Sequence, residues 1–220
     1  FCRLRLSYLT TKYGIGMSRT DHWNEVYSKK REAELSWHQE DPSVALDLMK
    51  KAGLTTTSSV IDIGAGTSRL MERLLDLGLS DLSALDLSER ALAAARVRLG
   101  EREQSIKWIV EDITRWEPTQ TYDVWHDRAV FHFLVNPEDR TAYIQRLSRC
   151  VAPGGHAIIA TFAIDGPEKC SGLSVVRYSP ASLAETLGAD FSLLTHQLYL
   201  HHTPWGNQQL FQYSLFRRVN

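Results

Sequence analysis

Residues 60–70 read V-I-D-I-G-A-G-T-S-R-L. A short apolar run carries one acid, Asp62, and is followed by two glycines that are spaced by one residue. The apolar run predicts a buried strand, and the residues after the glycines predict a helix. Glycines in such a turn let the backbone approach a ligand where a side chain would collide. The stretch therefore predicts a strand–turn–helix unit with a ligand at its turn.

The same alternation of strands and helices continues along the chain. Strands are predicted at 58–63, 81–87, 106–111, 122–126, 156–163, about 191–200 and 208–217. Helices are predicted at 21–33, 42–53, 68–77, 88–99, 137–150 and 180–187. Such alternation indicates a parallel sheet covered on both faces, while the short connection before the last strand requires an antiparallel pair. We therefore predict an α/β fold, a doubly wound, mostly parallel seven-stranded sheet with a C-terminal antiparallel hairpin and an N-terminal helical cap.

The ends of several elements can also be predicted from residue types. Asp21 and Asp41 are expected as helix N-caps, Pro42 as a first helical residue and Gly53 as a helix stop. P-G-G at 153–155 is expected to turn the chain.

Composition argues against several classes of partner. The net charge of −1 offers no basic surplus for a nucleic acid. No apolar stretch approaches the roughly 20 residues of a membrane helix. The three cysteines, Cys2, Cys150 and Cys170, are far apart and form no C-x-x-C pair. We therefore expect no nucleic acid, no membrane, no metal and a reducing, cytoplasmic location, and leave the oligomeric state open.

The acid before the glycines helps to identify the ligand. A dinucleotide-binding turn reads G-x-G-x-x-G and would need a glycine at position 69, where this chain has Arg69. The carboxylate of Asp62 would repel a pyrophosphate but suits a ligand with a positively charged amine. S-adenosylmethionine carries an ammonium and no phosphate, so the turn favours it over NAD.

Asp62-Ile63-Gly64-Ala65-Gly66 resembles the first motif of the class I, Rossmann-like S-adenosylmethionine-dependent methyltransferases. The resemblance extends over 21–218 in the order of elements. The family usually has a third small residue after the second glycine, and Ser68 at this place is a mild departure. The chain shows no internal repeat, low-complexity tract or linker, so we predict one domain, with a cap at 17–57 and a Rossmann-like core at 58–220. Residues 1–16, which contain three basic residues and no acid, are expected to be a disordered extension.

The resemblance also implies roles for two further acids at strand ends. Asp86, with Leu87 beside it, would accept hydrogen bonds from both ribose hydroxyls. Asp112 would reach the adenine amine, and Ile113 would pack against the ring. The cofactor-binding residues predicted in this way are Trp23, Tyr27, Trp37, Asp62, Gly64, Ala65, Gly66, Asp86, Leu87, Asp112, Ile113 and His126.

The acceptor side is less well defined by the sequence. Asp127, His132 and His38 are the candidates for a catalytic base or substrate anchor, and Arg128 could anchor an anion. Alternatively, Asp127 and Arg128 form a local ion pair and His132 is a packed helix residue. Cys170 follows the fifth strand, on the expected rim of the site.

The aromatic residues ahead of the sheet suggest two acceptor classes. Trp23, Tyr27 and Trp37 either cover the cofactor or belong to the core. Their arrangement resembles that of thiopurine and small-thiol methyltransferases, and also that of protein-lysine methyltransferases. We predict a methyltransferase with a small-molecule acceptor, a thiol or similar soft nucleophile. Protein-lysine methylation is the alternative, and a non-catalytic cofactor-binding regulator or partner subunit is an alternative of another class.

Overall fold

A seven-stranded sheet organises the protein in this computed structural model, which describes residues 17–219. Its strands are β1 (Val60–Ile63), β2 (Leu82–Asp86), β3 (Ile106–Val110), β4 (Tyr122–Arg128), β5 (Val151–Phe162), β8 (Phe191–His202) and β9 (Gln208–Arg218). Between β5 and β8, a small separate hairpin is formed by β6 (Lys169–Cys170) and β7 (Leu173–Ser174).

Helices cover this sheet and precede it. The α-helices are α1 (Arg19–Lys29), α2 (Ser43–Lys51), α3 (Leu70–Asp76), α4 (Glu89–Leu99), α5 (Pro137–Cys150) and α6 (Pro180–Leu187). Short 3₁₀ helices lie at Glu32–Glu34, Gly100–Ser105 and Phe131–Phe133. None of the helices between residues 17 and 219 combines the length and the apolar character needed to cross a membrane.

The strand order is β3-β2-β1-β4-β5-β9-β8. The first five strands pair in parallel, and β9 runs antiparallel between β5 and β8. The order reverses beside β1, which pairs with β2 on one edge and β4 on the other. Ligands bind at such a reversal, beyond the carboxyl ends of the strands. The predicted fold class is confirmed, and it places the glycine turn after β1 at this position.

Burial explains why β1 reads as a continuous apolar run. Val60 packs into one hydrophobic cluster, while Ile61 and Ile63 pack into a second cluster on the opposite face. All four residues of the strand are buried. A strand covered by helices on both faces has no solvent side on which polar residues would alternate. Asp62 is therefore a carboxylate in a buried environment.

Some predicted ends of elements are wrong. Helix α1 starts earlier than predicted because Ser18 is its N-cap and Asp21 completes the capping box from the third helical position. Helix α2 follows Pro42, with no side-chain cap from Asp41. P-G-G at 153–155 was expected to turn the chain but lies inside β5. The extra residues of β5 are accommodated by a shift in its register with β4, between Tyr122 and Val124. The predicted disordered extension, 1–16, lies outside the described residues.

Candidate active site

The turn after β1 has a backbone that requires glycine. Gly64 and Gly66 have φ angles of +66° and +52°, a region that residues with a Cβ rarely adopt. A Cβ on Gly64 would lie 2.1 Å from Val130 Cγ2, and one on Gly66 would lie 2.6 Å from Tyr27 Oη. Both positions require glycine, because a side chain would strain the backbone and would collide with Val130 or Tyr27. The backbone of the turn is therefore bare and can be approached closely by a ligand.

Two cavities meet at this turn. The β2–β3 cavity lies beyond the ends of β2 and β3 and includes Asp86 and Asp112 in its wall. The turn cavity lies over the glycine turn and includes Asp62 and His126 in its wall. Every residue predicted to bind the cofactor lines one of these two cavities. The structure thus brings together side chains that are far apart in sequence.

Asp62 and His126 form a buried pair in the wall of the turn cavity. The parallel register of β1 and β4 sets the two residues side by side, and His126 Nδ1 lies 2.7 Å from Asp62 Oδ1. A carboxylate can only accept, so Nδ1 donates and, in a neutral ring, Nε2 is an acceptor. The second atoms, Asp62 Oδ2 and His126 Nε2, are buried with no hydrogen-bond partner. Such orphaned acceptors are costly to bury, which indicates a donor that binds in this cavity.

Asp86 is the last residue of β2 and faces the β2–β3 cavity. Its Oδ2 accepts a hydrogen bond of 2.9 Å from the Gly66 amide, and its Oδ1 accepts one of 2.7 Å from the Ser88 amide. Burial raises the pKa of the Asp86 carboxyl to about 6, with a smaller contribution from the charge of Asp62, while the backbone hydrogen bonds act in the opposite direction. Asp86 therefore changes charge close to physiological pH.

The acid after β3 is also in place, but it is already paired. Asp112 Oδ1 accepts hydrogen bonds from the amide and hydroxyl of Thr114, at 2.9 and 2.7 Å. Asp112 Oδ2 lies 3.6 Å from Arg19 Nη1, and Arg19 also pairs with Asp139. Ile113 is buried beside them and lines the same cavity. Asp112 and Ile113 therefore place a paired carboxylate and an apolar side chain next to each other in the wall of the β2–β3 cavity.

Aromatic rings of the helical cap cover both cavities. Trp23 lies edge-on to Trp37 and Phe133, with centroid distances of 5.5 and 5.1 Å, and Tyr27 lies 6.0 Å from Trp37. The Ser88 hydroxyl donates to Asn24 Oδ1 of α1 at 2.8 Å, which ties the cap to the end of β2. The three predicted aromatics therefore line the cavities.

The three catalytic candidates differ in position. His38 lines the turn cavity and lies near Glu32 and Glu40. Asp127 and His132 are fully buried, and the structure does not place either among the residues that line the two cavities.

Asp127 and His132 instead hold the backbone that follows β4. Asp127 accepts hydrogen bonds from the amides of Val130 and Phe131, at 2.9 and 3.1 Å, and from Tyr143 Oη at 2.6 Å. Burial raises the pKa of the Asp127 carboxyl to about 6. Burial, with a smaller effect of the Arg128 charge, lowers the pKa of His132 to about 3, so its ring is neutral. Its Nδ1 accepts from the Phe162 amide at 3.3 Å.

Arg128 does not pair with Asp127, so the alternative prediction of a local ion pair is wrong. Successive residues of a strand point to opposite faces, and the two side chains leave β4 in different directions. Arg128 lines both cavities, and its Nε and Nη1 donate to Tyr213 Oη and the Trp37 carbonyl, at 3.0 and 2.8 Å.

Several residues of the site were not predicted from the sequence. The β2–β3 cavity is also lined by Arg19, Val130 and Phe133. The sequence signal that could have located Arg19 is the capping box of Ser18 and Asp21, which makes it the first residue of α1. Cys170, which the sequence analysis expected on the rim of the site, does line this cavity, although its strand β6 belongs to a hairpin too short for any periodic pattern. Burial raises the pKa of the Cys170 thiol to about 11, so it is protonated at neutral pH. Within residues 17–219, no cluster of three or more His, Cys, Asp or Glu is arranged to hold a metal ion.

Comparison with protein families identifies a domain in the central part of the chain. Residues 60–155, from β1 to the middle of β5, match a family model described as a methyltransferase domain.

Three curated relatives overlap the same region. Malonyl-[acyl-carrier protein] O-methyltransferase 2 of Ilyobacter polytropus is 28% identical over 49% of this chain and 40% of its own length. The eEF1A lysine and N-terminal methyltransferase of Mus musculus is 24% identical over 63% of this chain and 20% of its own. Thiocyanate methyltransferase 1 of Arabidopsis thaliana is 32% identical over 36% of each chain. The chain thus spans less than half the length of these relatives.

Two solved structures share the fold over nearly all of the chain. One is described as the conversion of a disulfide bond into a thioacetal group during echinomycin biosynthesis, with a TM-score of 0.73, 22% identity and coverage of 92% of this chain and 94% of that one. The other is N-methyltransferase NodS of Bradyrhizobium japonicum with S-adenosyl-L-homocysteine, with a TM-score of 0.70, 17% identity and coverage of 92% and 100%. At these identities the likeness supports the fold.

Proposed function

We propose, from the premise that residues 60–155 form a methyltransferase domain, that the protein transfers a methyl group from S-adenosylmethionine to a small thiol or similar soft nucleophile. The observation that carries this proposal is the pair of orphaned acceptors in the turn cavity, Asp62 Oδ2 and His126 Nε2. An ammonium brings three donors and a positive charge, so it suits two acceptors beside a carboxylate. The residues present therefore fit S-adenosylmethionine, whose methionine end carries such an ammonium.

The remaining residues of the two cavities fit the rest of the cofactor. Asp86 offers a carboxylate to the ribose hydroxyls, although in this structure its oxygens also accept from Gly66 and Ser88. Asp112 offers an acceptor to the adenine amine, and Ile113 offers an apolar surface to the ring. S-adenosylmethionine, when bound, supplies a methyl group on a positively charged sulfur.

The protein's part in methyl transfer is mainly alignment and exclusion of water. The transfer is an in-line displacement, so the acceptor must be held opposite the leaving sulfur. Trp23, Trp37 and Phe133 form an aromatic wall of the β2–β3 cavity beneath the cap. A wall of this kind provides apolar contact for a small acceptor and keeps water away from the reacting atoms.

A thiol must lose its proton before it attacks, and we assign that proton to His38. Thiols have an unperturbed pKa of about 8.5, so modest assistance from a base is sufficient near neutral pH. His38 is the catalytic candidate that lines a cavity, and the residue before it, Trp37, lines both cavities, so His38 lies next to their junction. We assign Asp127 and His132 to the support of the loop after β4, because their polar atoms face backbone amides and buried rings.

Two comparisons support a sulfur acceptor. One relative is named a thiocyanate methyltransferase, and one neighbouring structure concerns the conversion of a disulfide bond into a thioacetal group. Both names describe sulfur chemistry in proteins that overlap this fold.

The acceptor class can be tested with S-adenosylmethionine that carries a labelled methyl group. Labelled cofactor is incubated with the full chain and either a panel of small thiols or a cell extract. We expect label in small thiols and a fall of about 10²- to 10⁴-fold in kcat/KM for His38→Gln, the usual contribution of a general base. Asp47→Asn, on α2 outside the cavity walls, serves as the control. Label found only in a protein band contradicts the thiol acceptor.

Protein-lysine methylation is the second candidate. It is favoured by the eEF1A lysine methyltransferase among the relatives, which overlaps 63% of this chain. In the labelling experiment it predicts a labelled protein band and unlabelled thiols. Cofactor binding without any labelled acceptor would instead favour the regulator. A cytoplasmic location stays a prediction.

A further inference from the structure

Arg128 occupies the place where the two cavities join. Four residues of the described chain line both cavities, and they are Tyr27, Trp37, Gly64 and Arg128. Of these, Arg128 is the one with a formal charge. A ligand that extends from the ribose acid Asp86 to the ammonium acceptor Asp62 passes this junction. Arg128 therefore lies beside the middle of the proposed cofactor, where its sulfonium joins the two ends.

The guanidinium is fixed by three contacts. Its Nε donates to Tyr213 Oη at 3.0 Å, its Nη1 donates to the Trp37 carbonyl at 2.8 Å, and its centre lies 4.9 Å from the Phe211 ring centroid. These partners come from β9 and from the helical cap. An arginine held in this way has lost most of its rotational freedom, so it is preorganised for a partner at its remaining nitrogen.

That remaining nitrogen has no partner among the residues that the structure describes. Arg128 Nη2 is buried and makes no hydrogen bond among residues 17–219, and no carboxylate of that range lies within ion-pair distance of the guanidinium. Arg98 is as partly buried as Arg128, but its guanidinium pairs with the carboxylates of Glu32 and Glu72. A buried cation without a counter-ion is unfavourable unless an anion binds beside it.

Electrostatics at the junction then limit the charge of the acceptor. A sulfonium and a guanidinium repel each other, and this repulsion is strong where water is excluded. A negative charge between the two relieves it. A neutral acceptor leaves the two cations uncompensated, and a cationic acceptor adds a third.

We propose that Arg128 selects a small acceptor that carries a negative charge and binds it through Nη2 at the junction of the two cavities. The inference deepens the proposed function and rests on it. In the transfer, the proton of the thiol goes to His38, and an electron pair of the acceptor sulfur forms the bond to the methyl carbon. The carbon–sulfur bond breaks and its electron pair stays on the sulfur, so the positive charge of the sulfonium is neutralised and no further reactant is needed.

The test is a pair of matched probes, 3-mercaptopropionate and the neutral 3-mercaptopropan-1-ol, titrated by calorimetry into the full chain saturated with S-adenosyl-L-homocysteine. We expect the wild type to bind the anion at least about tenfold more tightly, as a close charge pair provides. Arg128→Gln should remove the preference, and Arg128→Lys should keep part of it. Arg90→Gln, an exposed arginine of α4, is the control and should behave like the wild type.

Several results would overturn the inference. A wild type without a preference for the anion, or an Arg128→Gln variant that keeps it, would do so. Should Arg128→Gln fail to fold, Arg128→Met takes its place because its apolar stem can still pack against Phe211. The preference of the wild type for the anion is measured without any variant, so the inference can be overturned even if no Arg128 variant folds.

A second measurement separates the acceptor from the cofactor's own carboxylate. Affinities for S-adenosyl-L-homocysteine and for 5′-methylthioadenosine, which lacks the amino acid end, are compared in both proteins. We expect Arg128→Gln to change both by less than about threefold, under 1 kcal/mol. A selective loss for S-adenosyl-L-homocysteine would assign Arg128 to the cofactor and contradict the inference. An intact anion preference without methylation of either thiol would contradict only the thiol acceptor.

Discussion

At the scale of single residues, burial gives the three acids at strand ends different properties. Asp62 is linked to His126 and has one orphaned oxygen. Asp86 accepts backbone hydrogen bonds yet has its pKa raised to about 6 by burial. Asp112 remains partly exposed and is paired with Arg19. Side chains of the same type in the sequence therefore differ in their partners and in their burial, which is the basis of the three different cofactor contacts proposed for them.

The raised pKa of Asp86 predicts a pH dependence of ligand binding. The ionised carboxyl is the form that accepts hydrogen bonds from ribose hydroxyls. Because the pKa in the folded protein is about 6, binding should be strong above pH 6 and should weaken as the pH falls through that value. The affinity for 5′-methylthioadenosine, titrated between pH 5 and 8, measures this pH dependence. The compound has no ammonium, so Asp62 and His126 do not contribute to the result.

Asp86→Asn is the matched variant for that titration. It should weaken binding of 5′-methylthioadenosine by about 10- to 100-fold at pH 7.5, the range for hydrogen bonds to a charged group. Its affinity should then be nearly flat with pH. A variant that retains the wild-type pH profile would show that another group titrates.

Asp127 provides a second prediction at this scale. Replacing it with Asn leaves one acceptor oxygen for three donors, from Val130, Phe131 and Tyr143. We expect a loss of about 1–3 kcal/mol in the free energy of unfolding, measured with urea. Cofactor affinity and activity per folded molecule should stay close to wild type. Unchanged stability together with abolished methyl transfer would instead support the catalytic role predicted from the sequence.

At the scale of elements, the turn between β1 and α3 determines the shape of the site. Its two glycines adopt positive φ angles, and the neighbours Val130 and Tyr27 lie where side chains would otherwise be. Val130 belongs to the loop that Asp127 supports, so the turn and that loop pack against each other across β1 and β4.

Gly64→Ala and Gly53→Ala separate backbone strain from crowding. Gly53 has a φ angle of +82° and no atom within 4 Å of an added Cβ, whereas a Cβ on Gly64 would lie 2.1 Å from Val130 Cγ2. Gly53→Ala should cost only the strain of about 1–2 kcal/mol. Gly64→Ala should cost more in urea unfolding and should also lose affinity for S-adenosyl-L-homocysteine. Equal effects of the two variants would mean that crowding at Gly64 is unimportant.

Element boundaries were predictable where the sequence fixes them chemically. Pro137 and Pro180 begin α5 and α6 as predicted, because proline at a first helical position presets the backbone angle. The start of α1 was misplaced because Asp21 acts from within the helix while Ser18 caps it. The β6–β7 hairpin could not be predicted, since two-residue strands have no periodicity.

At the scale of the whole molecule, the order of strands creates contacts that the linear sequence cannot reveal. The sequence could place Asp62, Asp86 and Asp112 near one edge of the sheet because each lies at or next to the carboxyl end of a strand in a recognisable series. The sequence holds no comparable signal for the packing of Arg128 against Tyr213, which are 85 residues apart. Nor could it tell that Asp127 faces backbone amides while its neighbour Arg128 faces the cavities.

The central claim is that the turn after β1 binds S-adenosylmethionine and not a dinucleotide. Calorimetric titration of the full chain with S-adenosyl-L-homocysteine and, separately, with NAD tests it most directly, with Asp62→Asn as the variant that removes the charge beside the ammonium. The structure predicts saturable binding of S-adenosyl-L-homocysteine that Asp62→Asn weakens, and much weaker binding of NAD. Tighter binding of NAD would contradict the account.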